Sequence, residues 1–127
     1  MPRPDATAEL TTALEERILM LDGAMGTTIR GYGLTEEDAR GERFKDIDKD
    51  ILNNGDILTL TRPDVISDIH RRFLEAGSDI VETNSFSATS IAQSEFFVED
   101  PRESGKGRKD PEFYQKIMDD PFLKDLA

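Results

Sequence analysis

ILMLDGAMGTT, at residues 18–28, is the stretch that decides the predicted fold. The apolar run at 18–21 ends at an acid, Asp22, and the glycines Gly23 and Gly26 follow it. A strand that ends in an acidic, glycine-containing turn is typical of the catalytic face of a (β/α)8 barrel. Glycine lets the backbone come close to a ligand, and the acid supplies a charged acceptor there.

A second segment repeats this pattern further along the chain. The run at 79–81 leads into Glu82 and further polar residues. Apolar residues at helical spacing after Pro63 predict a helix between the two runs, and a helix is the crossover that parallel strands need. Because neighbouring strands lie about 4.8 Å apart, we expect Asp22 and Glu82 to come together at one rim.

These units predict an α/β fold, namely the first two βα units of a (β/α)8 TIM barrel. The barrel is incomplete in this chain of 127 residues, because a closed one typically needs about 250. The expected parts are an N-terminal extension with a helix at 1–17, the N-terminal portion of the barrel at 18–97, and a charged insertion with the start of a truncated helix at 98–127. The chain is therefore expected to be an N-terminal fragment. Within the barrel portion, 56–60 is expected to be a short extended piece.

Composition limits the classes of function that the chain can have. Its net charge of −11 argues against nucleic acid and anionic membranes as partners. No apolar run approaches the roughly 20 residues of a membrane span, and the N-terminus has no signal-peptide pattern, so a cytoplasmic protein is expected. The chain has no cysteine, which excludes disulfides and thiolate metal sites. The one histidine, His70, is expected on the solvated face of the helix after Pro63.

Five motifs, in order along the chain, resemble one enzyme family. They are LDGAMGT at 21–27, RGERFKD at 40–46, GDILTLTRPDVI at 55–66, EAGSDIVETNSF at 75–86 and TSIAQSEF at 89–96. Together they are similar to the N-terminal part of the homocysteine S-methyltransferase (homocysteine-binding) domain of cobalamin-dependent methionine synthase. The family usually has Lys-Gly-Asn-Asn-Asp where this chain has Leu-Asn-Asn-Gly-Asp at 52–56, a departure within one loop.

The resemblance implies a reaction and a set of substrate-binding residues. The methyl group would pass from methyltetrahydrofolate, through methylcobalamin, to zinc-bound homocysteine, and the product would be methionine. Homocysteine needs acceptors for its ammonium group and N–H donors for its carboxylate. The residues expected to bind it are Asp22, Gly23, Ala24, Met25, Gly26, Glu82, Thr83 and Asn84. Other interpretations are a helix N-cap for Asp22 and a turn residue for Asn84.

The resemblance also implies zinc and cobalamin, but in a longer parent enzyme. The family holds zinc through three cysteines on later strands, so no catalytic residue, metal ligand or bindable cofactor is expected in this chain, which alone should be inactive. The expected partners are homocysteine and the rest of the parent polypeptide, with its remaining barrel and its folate and cobalamin modules. Two alternatives stay open: a cobalamin-independent homocysteine or betaine-type S-methyltransferase, and a stand-alone, non-catalytic module.

Overall fold

The computed structural model of the protein describes residues 4–99 and 110–127. In these ranges the chain is mainly helical. The helices are α1 (Thr7–Glu16), α2 (Met25–Gly31), α3 (Glu36–Arg40), α4 (Leu58–Thr61), α5 (Pro63–Glu75), α6 (Ser90–Phe97), α7 (Pro111–Asp119) and α8 (Pro121–Leu126), and a 3-10 turn at Gly55–Ile57 runs directly into α4. Of the predicted charged insertion, residues 100–109 lie outside the described ranges.

The helix α5 forms where the apolar spacing predicts it. Pro63 occupies its first turn, where the missing N–H has no cost. Val65, Ile66 and Ile69 are buried, so one face of the helix packs against α2 and α4. The helix ends before Gly77, whose φ of 107° is a backbone conformation that favours glycine. The predicted helix is confirmed.

The predicted α/β fold is wrong for the residues that the structure describes. They are 57% helical and 2% strand, without a sheet. The two apolar runs meet at a single parallel bridge between Leu21 and Ile80. A parallel pair is stable only within a larger sheet whose two faces are covered. Here Ile18 is 85% exposed and Met20 58% exposed, so the pairing does not extend into βα units.

Two further expectations about local structure are also wrong. Residues 56–60 lie in the 3-10 turn and α4 instead of an extended piece. The Nε2 atom of His70 is buried and has no hydrogen-bond partner, although His70 was expected on the solvated face of α5. The reason is its place on the helix: Ile66 lies four residues before it and Phe73 three after it, so all three share a face.

Two clusters of buried apolar side chains meet the 3-10 turn and α4, with Leu58 of α4 in the first cluster and Ile57 of the 3-10 turn in the second. Ala39, Leu58 and Ile66 form the first cluster, against which Met25 and Ile29 of α2 pack. The second cluster contains Phe44, Ile51 and Ile57, with Phe97 of α6 packed against it. The 3-10 turn and α4 therefore connect α2 and α5, through the first cluster, with α6 and α8, through the second. None of the helices in the described part of the chain is long and apolar enough to cross a lipid bilayer.

An ion pair attaches the end of α1 to the Leu21–Ile80 bridge. The Arg17 guanidinium donates to the Asp79 carboxylate with Nη1 at 2.7 Å from Oδ2. The Met20 N–H donates to the same oxygen at 2.9 Å. The hydrogen bond from Arg17, followed by that from Met20, lowers the pKa of the Asp79 carboxyl to about 2. The helix α1, which lies in the predicted N-terminal extension at 1–17, buries no residue of its own, so this ion pair is a main link between α1 and the bridge.

This lowered pKa predicts how the link depends on pH. Because the folded-state pKa lies below the unfolded value of about 3.9, the ion pair stabilises the fold above that value and its contribution is lost as the pH falls through about 2. A carbon-detected NMR titration of the Asp79 carboxyl should give a midpoint near 2. A midpoint near 3.9 would contradict the link. In Asp79→Asn, the free energy of unfolding should no longer fall as the pH is lowered from the unfolded to the folded pKa of this carboxyl.

Candidate functional site

An open cleft of about 1010 Å³ lies between the start of α2, the loop before the 3-10 turn and the segment at 82–87. Seven of the eight residues predicted to bind substrate line it, namely Gly23, Ala24, Met25, Gly26, Glu82, Thr83 and Asn84. The structure thus brings the ends of the two apolar runs together, although no sheet joins them. Whether these residues bind homocysteine stays a prediction.

Asp22, the eighth predicted residue, does not line the cleft but joins the ends of the two apolar runs. Its backbone N–H donates to the Ile80 carbonyl at 2.9 Å, and its Oδ2 accepts the backbone N–H of Glu82 at 3.1 Å. The proximity of Asp22 and Glu82 agrees with the expectation from the sequence. Asp22 is not the N-cap of α2, because that helix begins after Ala24 and no side chain caps it.

Asn84 holds the 82–87 segment against the 3-10 turn. Its Nδ2 donates to the Gly55 carbonyl at 2.8 Å and to Thr59 Oγ1 at 3.2 Å. Close by, Asp56 Oδ2 accepts the backbone N–H of Ser87 at 2.6 Å. The amide group of Asn84 is thus engaged in fixing the cleft wall, and its Oδ1 is the atom left for a ligand.

Under the cleft, two amide side chains form a buried polar pair. Asn54 is 2% exposed and Gln93 of α6 is 1% exposed. Asn54 Nδ2 donates to Gln93 Oε1 at 2.6 Å, and Gln93 Nε2 donates to the Ser87 carbonyl at 2.9 Å. Buried amides need such partners, so this pair fixes both the loop and the 82–87 segment from below.

A carboxylate positions the loop that leads into the cleft. Glu36 Oε1 accepts the N–H of Ile51 and its Oε2 accepts the N–H of Leu52, both at 2.8 Å. Arg40, one turn later on α3, pairs with Glu36 at 3.0 Å and donates to the Lys49 carbonyl at 2.8 Å. Reasoning from the sequence missed this loop as part of the site. The one local signal was Asn53-Asn54-Gly55, which indicates a turn but not its neighbours.

The charged side chains that line the cleft are Arg30, Asp56 and Glu82. The Asp56 carboxylate is occupied by the Ser87 N–H. The Glu82 carboxylate and the Arg30 guanidinium make no hydrogen bond or ion pair with any other residue in the described ranges. Within the described ranges, the cleft therefore presents one negatively charged and one positively charged side chain without a partner.

The donor groups of the described residues do not fit a zinc site. The sequence has no cysteine and one histidine. Residues 4–99 and 110–127 contain no group of three histidine, aspartate or glutamate side chains placed to hold a metal ion. Zinc in enzymes takes three or four such ligands at close range, so none of the cleft residues is assigned to it.

Comparison with protein families identifies the family of this chain. Residues 19–106, which are more than half of the chain, match the family model of homocysteine S-methyltransferase. The chain belongs to the homocysteine S-methyltransferase family. The family resemblance of the five motifs is thereby confirmed, and every residue that lines the cleft falls inside the matched region. Members of the homocysteine S-methyltransferase family transfer a methyl group to homocysteine, so the cleft belongs to a domain of that activity.

Proposed function

We propose that the cleft binds homocysteine as the methyl acceptor. The observation that carries the proposal is the unpartnered Glu82 carboxylate beside the uncapped start of α2, in one cleft of a homocysteine S-methyltransferase domain. The substrate ammonium group is the natural partner of Glu82, because a carboxylate accepts hydrogen bonds and carries the opposite charge. The first-turn amides of α2, from 25 to 27, have no acceptor within the helix and supply donors for the carboxylate.

The other cleft residues suit the apolar part of homocysteine. Met25, Ile29 and Leu34 line the cleft on one side and pack against the first core cluster. An apolar wall favours the two methylene groups between the amino acid end and the sulfur. The role of the described residues in this proposal is to bind and orient the acceptor; the group that activates its thiol is not assigned to them.

Within the family, we infer the methionine synthase type. This inference is supported by the series of motifs at 40–46, 55–66 and 75–96, which is closer to that enzyme than to the betaine type. The methyl donor would then be methylcobalamin, recharged from methyltetrahydrofolate and held by other parts of a longer polypeptide. Homocysteine and those parts are the proposed partners of this chain.

Replacing Glu82 with glutamine tests the binding proposal. The variant keeps the shape of the side chain and removes its charge, so we expect homocysteine to bind at least about tenfold more weakly, as for a lost charge-assisted hydrogen bond. Isothermal titration with homocysteine measures this. Glu75→Gln is the matched control, because Glu75 pairs with Arg71 on α5 and does not line the cleft.

Two outcomes of these titrations would contradict different parts of the proposal. If the unmodified chain does not bind homocysteine, the proposed function is wrong. If it binds homocysteine and both variants bind it equally well, Glu82 is not the acceptor for the ammonium group.

A further inference from the structure

The loop before the 3-10 turn contains an asparagine that is followed directly by a glycine, at Asn54 and Gly55. In such a pair the main-chain nitrogen of the glycine can attack the side-chain amide of the asparagine, because glycine has no side chain to hinder the approach. Asparagine is for this reason a thermolabile residue. Of the three asparagines in the chain, Asn54 alone precedes a glycine.

The fold keeps Asn54 out of the geometry that this reaction needs. Ring closure requires the Gly55 nitrogen and the Asn54 Cβ atom on the same side of the Cα–C bond of Asn54. At the observed ψ of 81° the two atoms point in nearly opposite directions. The main chain must therefore rotate at the start of the 3-10 turn before Asn54 can react.

The side chain of Asn54 is held as well. Its Nδ2 donates to Gln93 Oε1 at 2.6 Å, and its Oδ1 accepts a hydrogen bond from Gln93 Nε2 at 3.4 Å. Both residues are buried, so a side chain that turns toward its own main chain leaves buried polar atoms without partners, which costs free energy. The reaction thus proceeds from a locally opened state of the loop, and its rate follows the population of that state.

We propose that Asn54 is a deamidation site, which its hydrogen bonds to Gln93 keep closed in the folded protein. In the reaction the Gly55 nitrogen gives its proton to water and forms a bond to Cγ of Asn54. The bond from Cγ to Nδ2 breaks, and Nδ2 takes up a proton from water and leaves as ammonia. Water then opens the resulting succinimide at either carbonyl, which yields aspartate or isoaspartate at 54.

Either product changes the loop under the cleft. A carboxylate at 54 has no N–H for Gln93 Oε1 and places a charge in a buried position, which is unfavourable. Isoaspartate also lengthens the main chain just before Gly55 and Asp56, which line the cleft. We expect the deamidated chain to have a lower thermal midpoint than the unmodified one. This inference does not depend on which ligand the cleft binds.

Peptide mapping by mass spectrometry tests the proposal, because it detects the replacement of the amide by a carboxylic acid. The full chain is incubated at mildly alkaline pH, both in buffer and in urea. We expect Asn54 to convert in urea, and at least about tenfold more slowly in buffer, where the loop is closed. In buffer, Gln93→Met should convert Asn54 at least about tenfold faster than the unmodified chain. Asn53 and Asn84, which do not precede glycine, are the internal references.

Two further variants separate the opening of the loop from other causes. Gly55→Ala should convert Asn54 far more slowly, even in urea; the added Cβ would lie 3.5 Å from Ile29 Cδ1, an ordinary contact, so this variant should fold. Ile69→Ala empties a buried site on α5 and destabilises the protein without removing Gln93. It should accelerate the conversion less than Gln93→Met does.

Three results would overturn the inference. If Asn54 stays unconverted in urea, it is not a deamidation site. If it converts equally fast in buffer and in urea, the fold does not protect it. If Gln93→Met converts it no faster than Ile69→Ala, the hydrogen bonds to Gln93 do not set the rate.

Discussion

Replacing Phe44 with alanine is expected to lower the free energy of unfolding by about 3–5 kcal/mol, the usual cost of emptying a buried aromatic site. Phe44 is 1% exposed and lies in the second core cluster with Ile51 and Ile57. Its ring centroid lies 5.4 Å from that of Phe97, so the substitution removes a pair of packed rings as well as apolar area. Chemical denaturation of both proteins, followed by circular dichroism, measures the difference.

The effect of this substitution should reach the cleft as well. Ile57 belongs to the 3-10 turn, and Gly55 and Asp56 of the same turn line the cleft. A domain is stable by about 5–15 kcal/mol, so the loss would leave part of the protein unfolded near its working temperature. We therefore expect weaker apparent homocysteine binding by Phe44→Ala, in proportion to the unfolded fraction.

Phe86→Ala is the matched control, because the side chain of Phe86 is 100% exposed at the cleft rim. A surface substitution of this kind changes the free energy of unfolding by no more than about 0.5 kcal/mol. Equal losses from the two substitutions would contradict the position of Phe44 in the core.

What the sequence predicts correctly depends on local patterns. The spacing of Val65, Ile66 and Ile69 after Pro63 is contained within α5 itself, so this helix is visible without its partners. The same holds for the polar ends of the two apolar runs, where residues that line the cleft follow within two positions. Predicting that these ends lie close together required one long-range assumption, namely that a crossover makes the two segments parallel. The parallel bridge between Leu21 and Ile80 agrees with that assumption.

What the sequence does not predict depends on distant contacts. Apolar runs have strand propensity, but a strand forms only where neighbours complete its hydrogen bonds, and Leu21 and Ile80 find one bridge. The loop before the 3-10 turn is placed by Glu36, which lies 15 residues before Ile51, and by Gln93, which lies 39 residues after Asn54. Neither partner is marked by spacing or composition.

Replacing Gln93 with methionine is expected to lower the free energy of unfolding by about 2–4 kcal/mol. The new side chain fills a similar volume but leaves two buried polar atoms of Asn54, Nδ2 and Oδ1, without their partner Gln93, and each costs about 1–3 kcal/mol. Since Asn54 and Ser87 both line the cleft, homocysteine binding should weaken even under conditions in which the variant is fully folded. Denaturant titration and calorimetric binding measure the two effects separately.

Gln115→Met on α7 is the matched control, because Gln115 is exposed and its Nε2 donates to Asp119 Oδ2 at 2.7 Å on the protein surface. Water replaces that hydrogen bond, so we expect a change within about 0.5 kcal/mol. A double variant, Gln93→Met with Asn54→Ala, should lose less stability than the sum of its single variants, because it removes both partners of the bond between Asn54 and Gln93. If the two losses of stability simply add, the two amides do not depend on each other. The contacts of Asp56 and Asn84 would then have to hold the 82–87 segment by themselves.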